Sequence, residues 1–185
     1  MTGKKLLFLG KPSLTLTGFM FSGKTSVGRE LAHRLRMEFV DLDTQVVSRA
    51  GKSIERIFQE DGEQEFRRLE REAVVRTLPG PGRVIAAGGG AILDPANLEL
   101  MHRHSCIIWL RTSAETVIER WRSSRGRVRP LLSCSDPETE VRRLLAERRQ
   151  YYEQSDLTIE TDSLAVVEVT ERIIEILRKS GTPLN

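Results

Sequence analysis

The chain reads as an α/β domain, a parallel sheet with helices on both faces. Three observations predict this. Five short apolar or β-branched segments alternate with helical patterns along the 185 residues, the arrangement of successive β-α-β units. A Gly-x-x-x-x-Gly-Lys-Thr segment, Gly18 to Thr25, lies between the first of these segments and the first amphipathic pattern. The pair Asp41 and Asp43 and the triplet Gly88-Gly89-Gly90 each follow a strand candidate directly, at the end where open α/β sheets bind ligands.

The first strand is placed at 13–17, where Leu14, Leu16 and Thr17 suit a buried strand. A helix at 24–36 follows from Val27, Leu31 and Leu35 at helical spacing. A second strand at 38–41 leads into helical patterns at 43–49 and 53–77, the latter broken near Asp61-Gly62. Beyond the break the acidic residues of the first turn suit the helix dipole, and Phe66, Leu69 and Ala73 form a core stripe. Pro79-Gly80-Pro81-Gly82 is a loop tip rather than a domain boundary, because a strand at 83–87 begins at once. Helices at 95–103, 113–122, 137–153 and 163–179 alternate with strands at 106–110, where Trp109 is read as core, and 156–160. Residues 1–12 fit two readings: an extra edge strand over Leu6 to Leu9, or a loosely held extension.

A chain of this length suits one domain with a sizeable core. Its net charge of +3 implies little by itself, but Arg120, Arg122, Arg125, Arg127 and Arg129 fall within ten residues and need an account. Cys106 and Cys134 form neither a disulfide framework nor a metal-ligand spacing, which fits a reducing cytoplasm. Leu6 to Leu9 is too short for a signal-peptide core or a membrane span, so no membrane association is expected.

The Gly18–Thr25 segment is the pattern of a phosphate-binding loop. Its backbone N–H groups wrap the phosphates, Lys24 reaches the β and γ phosphates and Thr25 offers its hydroxyl to Mg²⁺. Phe21, Ser22, Gly23 and Ser26 are expected in the same cradle. Asp41 and Asp43, two apart, would share one face at the carboxyl end of a strand. One of them can support a metal and the other accept a proton from a hydroxyl, while a plain helix cap near Thr44 remains the competing reading. Gly88, Gly89 and Gly90 leave room for a ligand or another backbone at the tip of their strand. On pattern alone, Arg67 with Glu70 is a surface pair at i,i+3. The arginine cluster has only Trp121 interleaved as a stacking aromatic, which argues against a nucleic-acid surface.

Six features in series resemble the shikimate kinase family: Gly18-Phe19-Met20-x-Ser22-Gly23-Lys24-Thr25, Asp41-x-Asp43, Asp61 through Glu70, the triple glycine, Arg129-Pro130-Leu131-Leu132, and Glu147-Arg148-x-x-x-Tyr152. The resemblance spans roughly residues 13 to 180. It implies a three-layer α/β/α P-loop kinase domain with a five-stranded parallel sheet, a substrate-binding subdomain at about 43–78 and a mobile lid at about 122–134. The implied activity is transfer of the ATP γ-phosphoryl group to the 3-hydroxyl of shikimate, in a cytoplasmic monomer. By the same resemblance Lys24 is the phosphate lysine, Thr25 ligates Mg²⁺ and Asp41 supports the metal. Asp43 is the base candidate and binds substrate hydroxyls. Arg67, Arg148, Gly89 and the flanking Gly88 and Gly90 hold shikimate, and Glu70 braces Arg67. Arg122 is placed near the adenine and Arg129 on the transferred phosphate, with Arg120, Arg125 and Arg127 unassigned. Two alternatives stand beside this: a related kinase acting on gluconate or a nucleoside monophosphate, and a P-loop protein that binds nucleotide or nucleic acid without transfer.

Position 21 departs from the family pattern, which has glycine or another small residue where this chain has phenylalanine. A bulky residue at positive φ costs on the order of 1–2 kcal/mol. Phe21 is therefore expected at negative φ, its ring against the residues before Pro12 or over the mouth of the site.

Overall fold

A computed structural model describes residues 7–124, 130–132 and 134–181. In chain order the elements are β1 (Ser13–Thr17), α1 (Lys24–Leu35), β2 (Glu38–Asp41), α2 (Leu42–Ala50), α3 (Ile54–Glu60), α4 (Gly62–Thr77), β3 (Arg83–Ala86), α5 (Pro95–His104), β4 (Ser105–Arg111), α6 (Ala114–Ser123), α7 (Pro137–Tyr152), β5 (Leu157–Glu160) and α8 (Val166–Lys179). Short 3-10 turns at Ala91–Leu93 and Pro130–Leu132 were not anticipated from the sequence.

The five strands are all parallel, in the order β2-β3-β1-β4-β5. The chain moves outward from β1 to one edge, returns through β3, and then builds the other side from β4. The order therefore reverses around β1, and the crevice beyond its carboxyl end is where such a sheet binds ligands. All five residues of β1 are buried. Two of their three polar side chains are hydrogen-bonded: Ser13 Oγ donates to the Gly80 carbonyl at 3.1 Å and Thr15 Oγ1 to Ser105 Oγ at 2.7 Å, whereas Thr17 Oγ1 is buried without a partner.

Side-chain alternation along the strands divides the core into two layers. Cys106, Ile108 and Leu110 pack with Val27 and Leu31 of α1 and with Ile173 and Leu177 of α8. Ile107 and Trp109 face the other way, into a layer with Val46, Leu69, Val74, Met101 and Tyr152. A third, smaller cluster joins Phe19 to Val117, Ile118, Leu132, Val141 and Leu144 beside the phosphate loop. The break between α3 and α4 falls where it was read, at Asp61 and a left-handed Gly62 with φ 84°.

Of the two readings for the N-terminal residues, the described part is not a sixth strand. Phe8 and Lys11 close a tight turn with paired hydrogen bonds of 2.7 and 2.9 Å, and Leu9 and Gly10 hold its positive-φ positions. Its function is packing, because the Phe8 ring is fully buried in the layer under α1 and α8.

Candidate active site

The loop from Gly18 to Thr25 leaves β1 and opens α1. Gly18 has φ 140°, and a Cβ there would stand 2.6 Å from the Leu110 carbonyl oxygen, so only glycine fits. Ser22 N–H donates to the Phe19 carbonyl at 3.2 Å. Lys24 Nζ turns back over the loop and donates to the carbonyls of Gly18 at 2.9 Å and Phe19 at 2.8 Å. The N–H groups of Thr25 and Ser26 lie in the first turn of α1, where a helix has no intrahelical acceptors and favours an anion.

Phe21 contradicts the expectation made for it. Its φ is +61°, not negative. The ring packs beside the cluster of Phe19, Val117, Ile118 and Leu132 and lines the cavity described below. The backbone course decides this. The Phe21 carbonyl accepts from Arg120 Nη1 at 3.0 Å, the Phe19–Ser22 turn closes over it, and Gly23 follows at φ 93°. Left-handed residues in such a series make the concave nest of N–H groups that binds anions, so the loop keeps its geometry and Phe21 bears the strain. Phe21→Val is expected to be less stable than Phe21→Asn by about 1 kcal/mol, although valine is the apolar choice, because asparagine tolerates the left-handed region and a β-branched residue does not. Urea unfolding of the two variants gives the order directly, and the reverse order would show that strain at position 21 is unimportant.

The two aspartates are not paired on one strand face, as their spacing suggested. β2 ends at Asp41, Leu42 starts α2, and Asp43 stands in that helix's first turn. Asp41 fulfils the cap reading and also meets the phosphate loop. Its Oδ1 caps α2 by accepting from Asp43 N–H at 3.0 Å and Thr44 N–H at 3.4 Å, while its Oδ2 accepts from Thr25 Oγ1 at 2.8 Å. Among the described residues no group of three or more His, Cys, Asp or Glu could hold a metal by itself. Thr25 and Asp41 do fit Mg²⁺, which takes one or two protein oxygens and completes its shell from phosphates and water.

Behind Asp43 the triple glycine follows β3 and brings charged groups close together. A Cβ at Gly88 would stand 2.5 Å from Glu70 Oε1 and 2.9 Å from Asp43 Oδ1, and one at Gly90 would fall on the Arg67 guanidinium. Arg67 is no surface pair: its Nη1 donates to Glu70 Oε2 at 2.7 Å, and its Nη2 reaches Glu63 Oε1 at 3.0 Å. Glu70 is 2% exposed. Burial and the neighbouring Asp43 carboxylate push its carboxyl above the ordinary 4.5, against the pull of Arg67. Arg148 is buried, with its guanidinium 5.6 Å from the centre of the Phe19 ring. One helical turn on, Tyr152 donates from its hydroxyl to the Gly89 carbonyl at 2.7 Å and stacks on Trp109, holding the glycine segment in place. Burial pushes the Tyr152 hydroxyl up to about 12.

The raised carboxyl of Glu70 has a consequence for stability. Because the folded state holds this proton more tightly than the unfolded chain, the contribution of Glu70 to stability is fully present below about pH 4.5 and is lost as pH rises through the folded value. Wild type measured against Glu70→Gln by urea unfolding should lose relative stability across that window. A difference that is flat with pH, or one that grows, would contradict the assignment.

A cavity of about 530 Å³ runs from the phosphate loop past Asp41 and Asp43 to Arg67, Glu70, Gly88–Gly90 and Arg148. The other end is walled by Arg120, Thr161, Leu164, Ala165 and Val166, a surface that sequence reasoning did not find. Arg120 Nη1 and Nη2 donate to the carbonyls of Phe21 and Thr161, both at 3.0 Å, tying the phosphate loop to the segment after β5. Arg122, assigned to the adenine from the sequence, does not line this cavity; it is exposed and pairs with Glu138 at the start of α7. Residues two apart on a helix point in different directions, so only one of the two arginines faces the cavity. Arg129, with Arg125 and Arg127, lies outside the described residues.

A parallel sheet whose order reverses at a phosphate loop, with carboxylates and arginines across one cavity from that loop, defines a P-loop enzyme that passes a phosphoryl group to a small acceptor. Comparison with known proteins narrows the class. Residues 20–178 match the family model described as shikimate kinase, and the chain belongs to that family. It is 43% identical over 170 residues to the shikimate kinase of Symbiobacterium thermophilum, covering 91% of this chain and 98% of the relative. With the shikimate kinase of Caldanaerobacter subterraneus subsp. tengcongensis it shares 39% over 162 residues, or 88% and 94% of the two chains. The solved shikimate kinase of Acinetobacter baumannii in complex with shikimate superposes with a TM-score of 0.87 at 33% identity, covering 94% of this chain and 96% of that one.

Proposed function

We propose that this chain transfers the γ-phosphoryl group of ATP to the 3-hydroxyl of shikimate through the residues that line this cavity. One observation carries the reading: a single cavity joins the phosphate loop to a pocket holding Asp43, Arg67 and Arg148. Lys24 and the N–H groups of residues 21–26 hold the phosphates. Thr25 and Asp41 would hold Mg²⁺, which when bound neutralises charge on the β and γ oxygens. Asp43 orients the acceptor hydroxyl and takes its proton as the oxygen–phosphorus bond forms and the bond to the β-phosphate oxygen breaks, releasing ADP. Arg67 and Arg148 grip the substrate carboxylate, since a guanidinium meets it with parallel charge-assisted bonds. Arg120, rather than Arg122, stands on the nucleotide's far side, and Arg129 completes the charge at the transferred group from the lid at about 122–134.

Residues 43–78 form the acceptor-binding subdomain on this reading, and the enzyme works as a monomer in the cytoplasm. Among the described residues no helix is long and apolar enough to cross a membrane. A coupled assay of ADP release across shikimate, gluconate and nucleoside monophosphates tests the acceptor. Release with gluconate or a nucleotide but not shikimate would overturn the substrate. No acceptor-dependent release would overturn the transfer itself. Arg148→Lys keeps the charge and loses the fork, so KM for shikimate should rise about tenfold or more while kcat changes less. An unchanged KM would remove Arg148 from the carboxylate site.

A further inference from the structure

Phe21 is the only residue of the phosphate loop other than glycine at positive φ; Gly18 and Gly23 on either side of it take that conformation freely. Lys24 and the Ser22 N–H hold the loop from within, at the carbonyls of Gly18 and Phe19. The Phe21 carbonyl is held from without, by Arg120 Nη1 of α6 at 3.0 Å. A carbonyl and the N–H that follows it point opposite ways across a planar peptide, so fixing the Phe21 carbonyl also fixes the Ser22 N–H. That N–H closes the turn onto Phe19 from which the anion nest is built. The other arm of Arg120 is anchored. Its Nη2 donates to the carbonyl of Thr161, a buried residue whose own N–H and hydroxyl donate to the Arg111 carbonyl at 2.9 and 3.0 Å. A guanidinium carries its donors in one rigid plane and so keeps carbonyls of two segments in fixed register, which an ammonium on a flexible stem does not.

We infer that Arg120 is a positioning residue for the nucleotide: it acts on the phosphates through the Phe21 carbonyl, keeping a phenylalanine in the left-handed conformation that the nest needs. The two residues work as a pair. A glycine at position 21 takes that conformation unaided, so having phenylalanine there makes the loop depend on a bond from α6. This rests on the reading of the loop as the site of the ATP phosphates.

The test is calorimetric binding of ADP, with no acceptor present, to wild type, Arg120→Met, Phe21→Gly and the double variant. Arg120→Met should bind ADP about tenfold more weakly than wild type, the worth of a hydrogen bond from a charged donor. In the Phe21→Gly background the same change should cost no more than about twofold, because glycine holds the left-handed conformation by itself. Arg120→Lys, taken through the same cycle, keeps the charge but cannot bridge both carbonyls, so it should follow Arg120→Met and stands in for it if the methionine variant does not fold. Phe21→Asn, which tolerates positive φ, likewise stands in for the glycine variant. Equal losses in the two backgrounds would mean that Arg120 touches the nucleotide itself, and wild-type affinity in Arg120→Lys would mean that charge alone serves; either result overturns the inference. Unchanged ADP affinity with only a lowered Tm would also overturn it, by showing a tie that serves stability alone. Wild-type protein that does not bind ADP would instead overturn the phosphate-loop reading beneath it.

Discussion

Asp43→Asn is expected to lower kcat by about 10²- to 10⁴-fold, the usual range for losing a positioned general base. The substitution is nearly isosteric, and the structure argues that the fold will tolerate it. The cap on α2 belongs to Asp41, whose Oδ1 accepts from the backbone N–H groups of Asp43 and Thr44, so the asparagine keeps its own N–H in that cap. What changes is a carboxylate facing the cavity beside Gly88. An amide can still receive the acceptor hydroxyl's hydrogen bond but cannot take its proton. KM for shikimate should therefore move much less than kcat. The variant's thermal unfolding should stay close to wild type, since an acid in a helix's first turn contributes only about 0.3–1 kcal/mol. A folded Asp43→Asn enzyme with wild-type kcat would end the case for Asp43 as base.

Lys24→Met should lower kcat by about 10²- to 10³-fold, as removing a preorganised stabiliser of transition-state charge does, and should weaken ATP binding with little change in KM for shikimate. Methionine keeps the apolar stem and loses the ammonium. That ammonium also donates to the Gly18 and Phe19 carbonyls, so its loss removes two hydrogen bonds across the loop. Steady-state kinetics with each substrate varied, together with a melting curve, distinguish the outcomes. A rise in shikimate KM as large as that for ATP would mean that Lys24 shapes the whole cavity and not the phosphate end alone.

Different parts of the molecule were legible in the sequence to different degrees. β1 and β4 were read closely because strands buried on both faces of a parallel sheet are near-continuous apolar runs, and that pattern is local. The α3–α4 break was equally plain, since Gly62 marks a left-handed turn whatever surrounds it. The readings that failed depended on distant residues. Phe21 has a strong local preference for negative φ, which Arg120, ninety-nine residues away, helps to override by holding its carbonyl. Arg120 and Arg122 differ only in which way α6 is turned toward the cavity. Arg67 and Glu70 look like any solvated i,i+3 pair until β3 and the triple glycine cover them.

The sequence by itself determined the order of elements, the phosphate loop and the series of motifs that place the chain among the shikimate kinases, because each is written in contiguous residues. Only the tertiary structure decided which arginine faces the cavity, that one oxygen of Glu70 is buried without a hydrogen-bond partner, and that the loop holds a strained phenylalanine at φ +61°. Those outcomes arise from burial and hydrogen bonding between segments far apart in the chain, where the summed packing of several elements outweighs the preference of any one residue.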